Sequence, residues 1–429
     1  MKRKLTAVAL ALGLAGAAAA CGGGGGGASA GVVQAHGEIT VWLSNNAEEV
    51  AWGKQMVAAW NSQHPDQKVT AQEIPTGKSS EEVIGAAITA GNAPCLIFNT
   101  SPASVSQFQK QGGLVALDSF SDGKSYIESR TGKTAQQYKS TDGKYYQLPW
   151  KDNPVMIFYN KKAFAKAGID TAKPPLATYD EFLATSRKLV AAKAAKFAIY
   201  PAPSNEFYQS WFDFYPLFAA ETGGKQLVVD GKAQFASEEG KKVAKFWRTL
   251  YAEKLASQEK YTGDSFVDGT AAMAIVGPWA IATYKGKVEW GAVPVPTSAG
   301  KPAAETYTFS DAKNVAMYSA CKNRGTAWDV LKFATSKEQD GKFLESTGQM
   351  PLREGVASAY PEYFAKNAAY KAFADQAART ADVPNVPNSI TIWQTFRDAY
   401  SKSVIFGRMD PGAALDNAVQ QVDQLASQS

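Results

Sequence analysis

Histidine and cysteine are scarce in this chain, which has two histidines, His36 and His64, and three cysteines among 429 residues. Catalytic triads built on histidine and metal sites with several histidine ligands need more than this. The sequence also lacks Cys-x-x-Cys, an Asp-rich calcium loop, a phosphate-binding glycine loop and Gly-x-Ser-x-Gly. We therefore expect no metal, no cofactor and no serine hydrolase.

The net charge of the chain is also small. The chain has 45 Lys and Arg against 40 Asp and Glu, a formal net charge of +5. Lys2, Arg3 and Lys4 contribute three of these charges and lie in a segment that we expect to be removed. The remainder is too small to indicate a nucleic-acid partner. The composition is that of a globular protein with two or three domains.

The N-terminus has a basic start and an apolar run from Leu5 to Ala20, too short for the roughly 20 residues that span a bilayer. Cys21 follows four alanines, Ala17 to Ala20, and precedes six glycines. This pattern is similar to a bacterial lipoprotein signal: residues 1–20 are removed, and Cys21 is acylated. Residues 21–37 are then a flexible tether, and the lipid holds the protein on the extracytoplasmic face of the cell membrane. An ordinary cleaved signal with a chance cysteine is the alternative.

Strands and helices alternate in the first half of the chain. Strands are predicted at 38–45, 68–74 and 95–98, with helices between them that end near 61 and 90. This order predicts an α/β fold with parallel strands. Ligands in such folds bind beyond the carboxyl ends of the strands, where Asn45, Asn46 and Asn99 lie.

The remainder of the chain continues the mixture. Strands are predicted at 146–150 and 155–160, joined by a turn through Lys151, and at 272–276. Helices are predicted over 179–192, 237–254, 325–335, 390–403 and 411–426.

Four of the ten tryptophans lie at predicted strand ends, in loops or at a helix start: Trp150, Trp211, Trp279 and Trp393. Aromatic rings in such places suit a sugar, because they pack against its C–H face while amide and carboxylate groups bind its hydroxyls. The polar candidates for that second role are Asn45, Asn46, Asp152, Asn153 and Asp311. These residues predict a carbohydrate ligand, although each tryptophan alone is equally consistent with a loop anchor.

A pair of carboxylates could instead hydrolyse a glycoside. The candidates are Asp152, Asp213, Asp264 and Asp311. With 40 acidic residues in the chain, such a choice has almost no specificity. A secreted glycosidase therefore remains open on the residues alone.

Four landmarks, in order along the chain, resemble the maltose-binding-protein-like extracellular solute-binding proteins of ABC importers. They are Trp60 to Asp66, Ala90 to Phe98, Leu148 to Lys161 and Phe266 to Trp279. The resemblance extends from Glu38 to the C-terminus. It implies an α/β, two-lobed fold of the class II periplasmic-binding-protein kind with three hinge crossings. The implied first lobe is 38–149 with 307–365, and the second is 150–306 with 366–429.

The resemblance also implies a function: a monomer that closes on a carbohydrate by hinge motion and delivers it to the permease subunits of an ABC importer, without catalysis. Trp279 and Trp393 match the stacking tryptophans of that family, and Trp211 falls beside another aromatic contact. Asn45 and Asn46 match contacts in the first loop. Asn99 and Asn153 differ from the residues of the maltose binder, so the sugar is left unidentified.

The same resemblance places Cys95 and Cys321 on adjoining strand regions of one lobe and so implies a disulfide between them. The residues alone are equally consistent with two buried thiols.

A final alternative is the same scaffold with a non-sugar solute, such as a glycerophosphodiester, an oligopeptide or a polyamine. A phosphate ligand would require cations that converge on the cleft, and Lys151 and Arg353 are the candidates. A polyamine would require a ring of acids, which the amide-rich loops do not offer.

Overall fold

The computed structural model describes residues 33–76, 79–201 and 203–428. The predicted signal, Cys21 and the first part of the predicted tether lie outside these residues.

Fourteen strands are formed in the described part of the chain. They are β1 (Ile39–Leu43), β2 (Val69–Glu73), β3 (Leu96–Thr100), β4 (Leu148–Asp152), β5 (Met156–Asn160), β6 (Phe197–Ile199), β7 (Val228–Val229), β8 (Lys232–Ala233), β9 (Ala271–Val276), β10 (Trp290–Val293), β11 (Thr308–Phe309), β12 (Lys313–Met317), β13 (Met350–Pro351) and β14 (Thr380–Ala381).

The α-helices of the same residues are α1 (Ala47–Gln63), α2 (Ser80–Thr89), α3 (Pro102–Lys110), α4 (Gly123–Thr131), α5 (Lys161–Lys166), α6 (Tyr179–Ala191), α7 (Phe214–Thr222), α8 (Glu238–Ala252), α9 (Trp279–Tyr284), α10 (Arg324–Ala334), α11 (Lys337–Thr347), α12 (Val356–Ala359), α13 (Pro361–Lys366), α14 (Ala368–Gln376), α15 (Ser389–Tyr400) and α16 (Pro411–Ser427). A π-helical turn, Ser401–Ile405, continues α15.

Side-chain caps fix where several helices begin. Asn46 accepts the backbone N–H of Glu49 and starts α1, and Asp410 caps α16 in the same way. Thr178 and Glu181 form a reciprocal capping box at α6. Each cap satisfies N–H groups that the first helical turn leaves without partners.

Two sheets organise the molecule. The first has six strands in the order β13-β4-β12-β3-β1-β2, and the second has four in the order β10-β5-β9-β6. We call each sheet with its covering helices the first and the second lobe. The prediction of parallel strands is confirmed for β1, β2 and β3. The strand β12, which was not predicted, pairs antiparallel with β3 and β4, because the chain enters the first sheet again from the second lobe.

The strands of both sheets are covered on two faces. In β1, Val41 and Leu43 face the core beneath α1 and α10, whereas Trp42 faces the core beneath α2 and α3. In β5, Ile157 and Phe158 likewise face different cores. The period of two in a strand therefore places apolar side chains on both sides of each sheet.

Three crossings connect the lobes within the described residues: from β4 to β5, from β10 through β11 to β12, and from β13 to the helices and β14. They run side by side. The Val155 N–H donates to the Phe309 carbonyl at 3.0 Å, and the Ser310 N–H donates to the Ala381 carbonyl at 3.1 Å. The two-lobed α/β architecture with three crossings is confirmed.

Residues 33–37 correct the predicted extent of the tether. Val33 is buried, the Ala35 carbonyl accepts the N–H of Gly325 at 2.8 Å, and the Gly37 N–H donates to the Thr326 hydroxyl at 3.0 Å. This segment therefore packs on α10, because its backbone groups find partners there.

The predicted disulfide is confirmed: Cys95 and Cys321 are bonded, with 4.5 Å between their Cα atoms. Cys95 precedes β3 and Cys321 follows β12, two adjacent strands of the first sheet. The bond closes a loop across a sequence separation of 226 residues and so restricts the unfolded chain.

Replacing both cysteines by alanine is expected to lower the free energy of unfolding by about 2–5 kcal/mol. Denaturant unfolding of the double variant and the parent measures this difference. Ligand affinity should stay unchanged, since neither cysteine touches the second lobe. Equal stability of the two proteins would contradict the structural role.

Candidate functional site

The space between the lobes, which we call the cleft, lies beyond the carboxyl ends of β1 and β3 on one side and of β6 and β9 on the other. It contains two cavities. One of about 490 Å³ lies between Glu81 and Gln107 of the first lobe and Phe207 and Gln394 of the second. The other, of about 790 Å³, lies between Glu48, the end of α11 and α9.

A buried polar network forms the first-lobe side of the cleft. Glu49, on the first turn of α1, forms an ion pair with Lys151 of β4. Glu49 also accepts a hydrogen bond from Gln349 Nε2 at 2.7 Å, and Gln349 Oε1 accepts one from Asn153 Nδ2 at 3.0 Å. Residues from three separate segments of the chain are thereby held together.

The charge of this network depends on its pairing. Burial would raise the pKa of Glu49, but the Lys151 ammonium and three hydrogen bonds hold it below its ordinary value. Glu49 is therefore a carboxylate at neutral pH, with Lys151 as its counter-ion. A buried pair of this kind persists only while both partners are present.

The first-loop asparagines have different roles. Asn45 is exposed after β1, whereas Asn46 uses its side chain to cap α1. Asn99, at the end of β3, has a φ of 85°, a conformation that few residues other than glycine adopt and that asparagine tolerates. Backbone conformations of this kind cluster at functional sites, so Asn99 stays a candidate.

Asp311 and Arg353 are already paired within the protein. Asp311 forms an ion pair with Lys313. The Arg353 guanidinium donates to Asp340 Oδ2 at 2.9 Å and to the Thr335 carbonyl at 2.9 Å. Arg353 and Lys151 therefore bind separate carboxylates and do not converge on a common phosphate position.

Asp152 lies at the start of the first crossing and lines a cavity of about 400 Å³ that also includes Arg353 and that no tryptophan of the described residues lines. Its carboxyl group is hydrogen-bonded to the Ser310 hydroxyl of the second crossing. Burial raises the pKa of Asp152 to about 7, against the opposing effect of that hydrogen bond. Asp152 therefore links the first crossing to the second.

The prediction that Trp150 contacts the ligand is wrong. Its side chain is 1% exposed and packs against Trp52, Phe98 and Phe343 in the core of the first lobe. The strand β4 continues to Asp152, so Trp150 lies inside a strand that is covered on both faces. No ring face is available to a ligand.

Trp393 is a second correction. It is 0% exposed, with ring centroids 5.6 Å from Trp211 and 5.0 Å from Tyr215. Helical spacing places it beside Ile392 and Phe396 on the buried face of α15. Trp211 is also buried, with the Lys313 ammonium 5.9 Å from its ring. In this arrangement neither ring presents a face to the cleft.

Trp279 differs, because its ring is partly exposed. It begins α9 directly after Gly277 and Pro278, and a Cβ atom on Gly277 would come within 2.0 Å of the ring. Only glycine therefore allows the ring to fold back over the end of β9. Phe212, also partly exposed, stands edge-on to Trp279 with centroids 6.1 Å apart. We call these two rings the aromatic platform.

Several buried polar atoms beside the cleft have no hydrogen-bond partner among the described residues: Oε2 of Glu49, Oδ1 of Asn153, and Nε1 of Trp211 and Trp393. An unpaired buried group costs about 1–3 kcal/mol. The two acceptors belong to the polar network of the first lobe, and the two donors to the core of the second lobe. The unpaired acceptors of the network are available to a polar ligand.

The sequence analysis missed Glu49 and Phe212. Glu49 could have been predicted as a site residue from its position. It follows β1 by six residues, in a first helical turn that lies beyond the carboxyl end of that strand, where ligands bind in α/β folds. Phe212 lay next to Trp211 in an irregular stretch, and nothing in the sequence indicated which of the two rings faces outward.

The four candidate carboxylates of a glycosidase lie in unlike settings. Asp152 is at the hinge, Asp311 pairs with Lys313, and Asp264 caps a loop. Asp213 is buried inside the second lobe, where burial raises its pKa to about 7. Among the described residues, no group of three or more His, Cys, Asp or Glu is placed to hold a metal ion.

No helix in the described ranges is both long enough and apolar enough to cross a membrane.

Comparison with known proteins gives a consistent class. A protein-family model described as "Bacterial extracellular solute-binding protein" matches residues 44–341, which is more than half of the chain. The diacetylchitobiose binding protein DasA of Streptomyces coelicolor is 28% identical over 367 residues, 81% of this chain and 80% of that protein. The maltodextrin-binding protein MdxE of Bacillus subtilis is 26% identical over 319 residues, 71% of each chain.

A solved structure shares the fold. The cyclic alpha-maltosyl-1,6-maltose binding protein of Arthrobacter globiformis superposes with a TM-score of 0.78 at 22% identity, over 91% of this chain and 99% of that one. Two lobes that enclose a polar cleft, with three crossings between them, define a solute-binding protein. The chain belongs to the family of bacterial extracellular solute-binding proteins. It is a binding protein and not an enzyme.

Proposed function

We propose that this protein binds a carbohydrate outside the cell and delivers it, chemically unchanged, to an ABC importer. The observation that carries the proposal is the aromatic platform, Phe212 and Trp279, partly exposed on a lobe whose partner carries a buried polar network. Ring faces pack against the C–H face of a sugar. The free acceptors of Glu49 and Asn153 and the amide of Asn45 suit its hydroxyl groups.

The relatives support the same class of ligand. DasA is described as a diacetylchitobiose binder and MdxE as a maltodextrin binder. Both names denote oligosaccharides, so an oligosaccharide is the proposed ligand here as well. Asn99 and Asn153 replace residues of the maltose binder, and the choice of sugar is left to experiment.

The proposed mechanism is hinge closure. A ligand that contacts both lobes only when they approach each other favours the closed form, and the shift equals its differential affinity for the two forms. The proposed hinge is formed by the crossings, where backbone hydrogen bonds join residues 153–155 to 309–311 and join Ser310 to Ala381. No bond of the ligand is made or broken in this cycle.

The finer features of the assignment are also proposals. We propose residues 38–152 with 307–365 as the first lobe and 153–306 with 366–429 as the second. The boundary lies three residues beyond the predicted 149 because β4 continues to Asp152 within the first sheet. We further propose a monomer, cleavage after residue 20, a lipid on Cys21 and permease subunits as the membrane partner.

A thermal-shift screen tests the proposed function. The protein without residues 1–32 is melted with mono- and oligosaccharides, including diacetylchitobiose and maltodextrins, and with glycerophosphocholine as the non-sugar arm. A ligand at a thousand times its Kd stabilises the folded state by ~4 kcal/mol. The proposal predicts a shift with at least one sugar, and a shift with the phosphodiester alone would replace it.

Replacing Trp279 by alanine is expected to raise the Kd for that sugar at least tenfold, because one face of the platform is lost. Titration calorimetry measures this change. Phe406→Ala is the matched control, since Phe406 is an exposed ring that follows the π-helical turn and is not part of the aromatic platform. Equal affinities of Trp279→Ala and the parent would remove the platform from the site.

A further inference from the structure

Another cavity, of about 240 Å³, lies in the second lobe at the carboxyl ends of β6 and β9. It is smaller than the roughly 300–1,000 Å³ of pockets that enclose a whole ligand, so it suits one chemical group. Five aromatic side chains line it, and we call this cavity the aromatic cage. They are Tyr200, Phe212, Tyr261, Phe266 and Tyr284.

Two of the five rings of the cage, Tyr200 and Tyr261, are held in place by hydrogen bonds of their hydroxyl groups. The Tyr200 hydroxyl donates to the Glu259 carbonyl at 2.7 Å, and the Tyr261 hydroxyl donates to Asp268 Oδ2 at 2.8 Å. The two ring centroids are 5.2 Å apart, at an interplanar angle of 61°. Because the hydroxyls are committed to these partners, the rings offer the cavity their apolar surface rather than a hydrogen-bonding group.

One charged side chain lines the cage. Asp264 Oδ1 accepts the backbone N–H groups of Phe266 and Val267, each at 3.0 Å, which fixes the carboxylate in place. Of the described residues that line the cavity, none is Lys or Arg. Burial together with the charge of Asp264 raises the pKa of Tyr284 well above its usual value. The negative charge of Asp264 therefore reaches Tyr284, which is one of the rings that line the cage.

We propose that the aromatic cage binds an alkylated ammonium group, of the kind that choline carries. Ring faces attract a cation through their quadrupole, and the fixed carboxylate offsets its charge. A sugar hydroxyl would need donors and acceptors that Tyr200 and Tyr261 have already used. A primary ammonium would need three acceptors, whereas Asp264 is the one carboxylate that lines this cavity.

The inference goes beyond the proposed carbohydrate function. Phe212 is shared between the cage and the aromatic platform, so a solute with an alkylammonium group at one end would reach both. The cage itself lies wholly within the second lobe and does not depend on hinge closure.

Titration calorimetry with choline chloride and with tetramethylammonium chloride, at constant ionic strength, tests the cage. The matched neutral probe is 3,3-dimethylbutan-1-ol, which has the shape of choline without its charge. The proposal predicts saturable binding of both cations and binding of the neutral probe that is weaker by about tenfold or more. No saturable heat with either cation, or equal binding of the neutral probe, would overturn it.

Two variants locate the binding. Asp264→Asn keeps the oxygen that accepts the two N–H groups and removes the charge, and Tyr261→Leu removes a ring. Each should weaken choline binding by about tenfold or more. Glu259→Gln, whose side chain does not line the cage, should leave it unchanged. If Tyr261→Leu does not fold, Asp264→Asn decides alone, and an unchanged affinity in that variant contradicts the proposal.

The outcomes separate this inference from the proposed function. Sugar binding with no cation binding would leave the carbohydrate proposal standing and remove the cage. Cation binding with no sugar binding would keep the cage and remove the carbohydrate.

Discussion

Replacing Lys151 by methionine is expected to lower the free energy of unfolding by about 3–5 kcal/mol. The methionine fills similar space, but the Glu49 carboxylate is then buried without a counter-ion. Denaturant unfolding followed by circular dichroism measures the loss. Lys342→Met is the matched control, because its partner Glu338 is exposed and such pairs contribute about 0–1 kcal/mol.

The double variant Glu49→Leu with Lys151→Met completes the cycle. Removal of both charges should recover most of the lost stability, because well-packed apolar residues replace buried ion pairs at little cost. The same protein should lose sugar affinity, since Glu49 supplies a free acceptor to the cleft. A stable double variant with unchanged affinity would contradict the role that we give to Glu49.

Asp152→Asn is expected to change how stability depends on pH. In the folded protein the pKa of Asp152 is raised to about 7, whereas an unfolded aspartate has one near 3.9. Between about pH 4 and pH 7 the unfolded chain loses this proton first, so the folded state loses up to ~4 kcal/mol relative to it. Asparagine has no such proton and can still bond to Ser310.

The stability of Asp152→Asn minus that of the parent should therefore rise by ~4 kcal/mol between pH 4 and pH 8. Urea unfolding at the two pH values gives this difference. Tyr138 and Asp382 also face this carboxyl group. Because the Asp152 charge raises the pKa of Asp382, its removal lowers that pKa and adds to the expected difference in the same direction. Asp375→Asn, an exposed control, should show less than about 1 kcal/mol. A constant difference for Asp152→Asn would show that Asp152 is charged when folded.

The secondary structure and the disulfide were accessible from the sequence because they depend on local patterns and on a family resemblance. Apolar periodicity predicted α6 and α16 to within a residue at each end. The antiparallel strand β12 was not accessible, since its partners come from segments more than 160 residues away.

Trp150 shows why part of the site was predicted wrongly. Lys151 and Asp152 look like a polar turn, which made Trp150 the last residue of its strand. In the structure their side chains are buried against Glu49 and Ser310, which are far away in sequence. The strand therefore continues, and Trp150 becomes a core residue.

The burial of Trp393 could have been predicted from the helical spacing of the apolar residues around it. Ile392, Trp393, Phe396 and Tyr400 recur at helical spacing and are all buried. A tryptophan on such a stripe belongs to the core, whatever precedes the helix. Trp279 had no stripe of this kind, and the prediction that it flanks the cleft remains the one on which the proposed function depends.

The most direct measurement for that function is a calorimetric titration of the protein with the sugar that gives the largest thermal shift, followed by mass spectrometry of the recovered ligand. The account predicts one saturable site per chain, binding that Trp279→Ala weakens at least tenfold, and a sugar of unchanged mass. Absence of binding by every sugar tested, or recovery of a cleaved sugar, would contradict it.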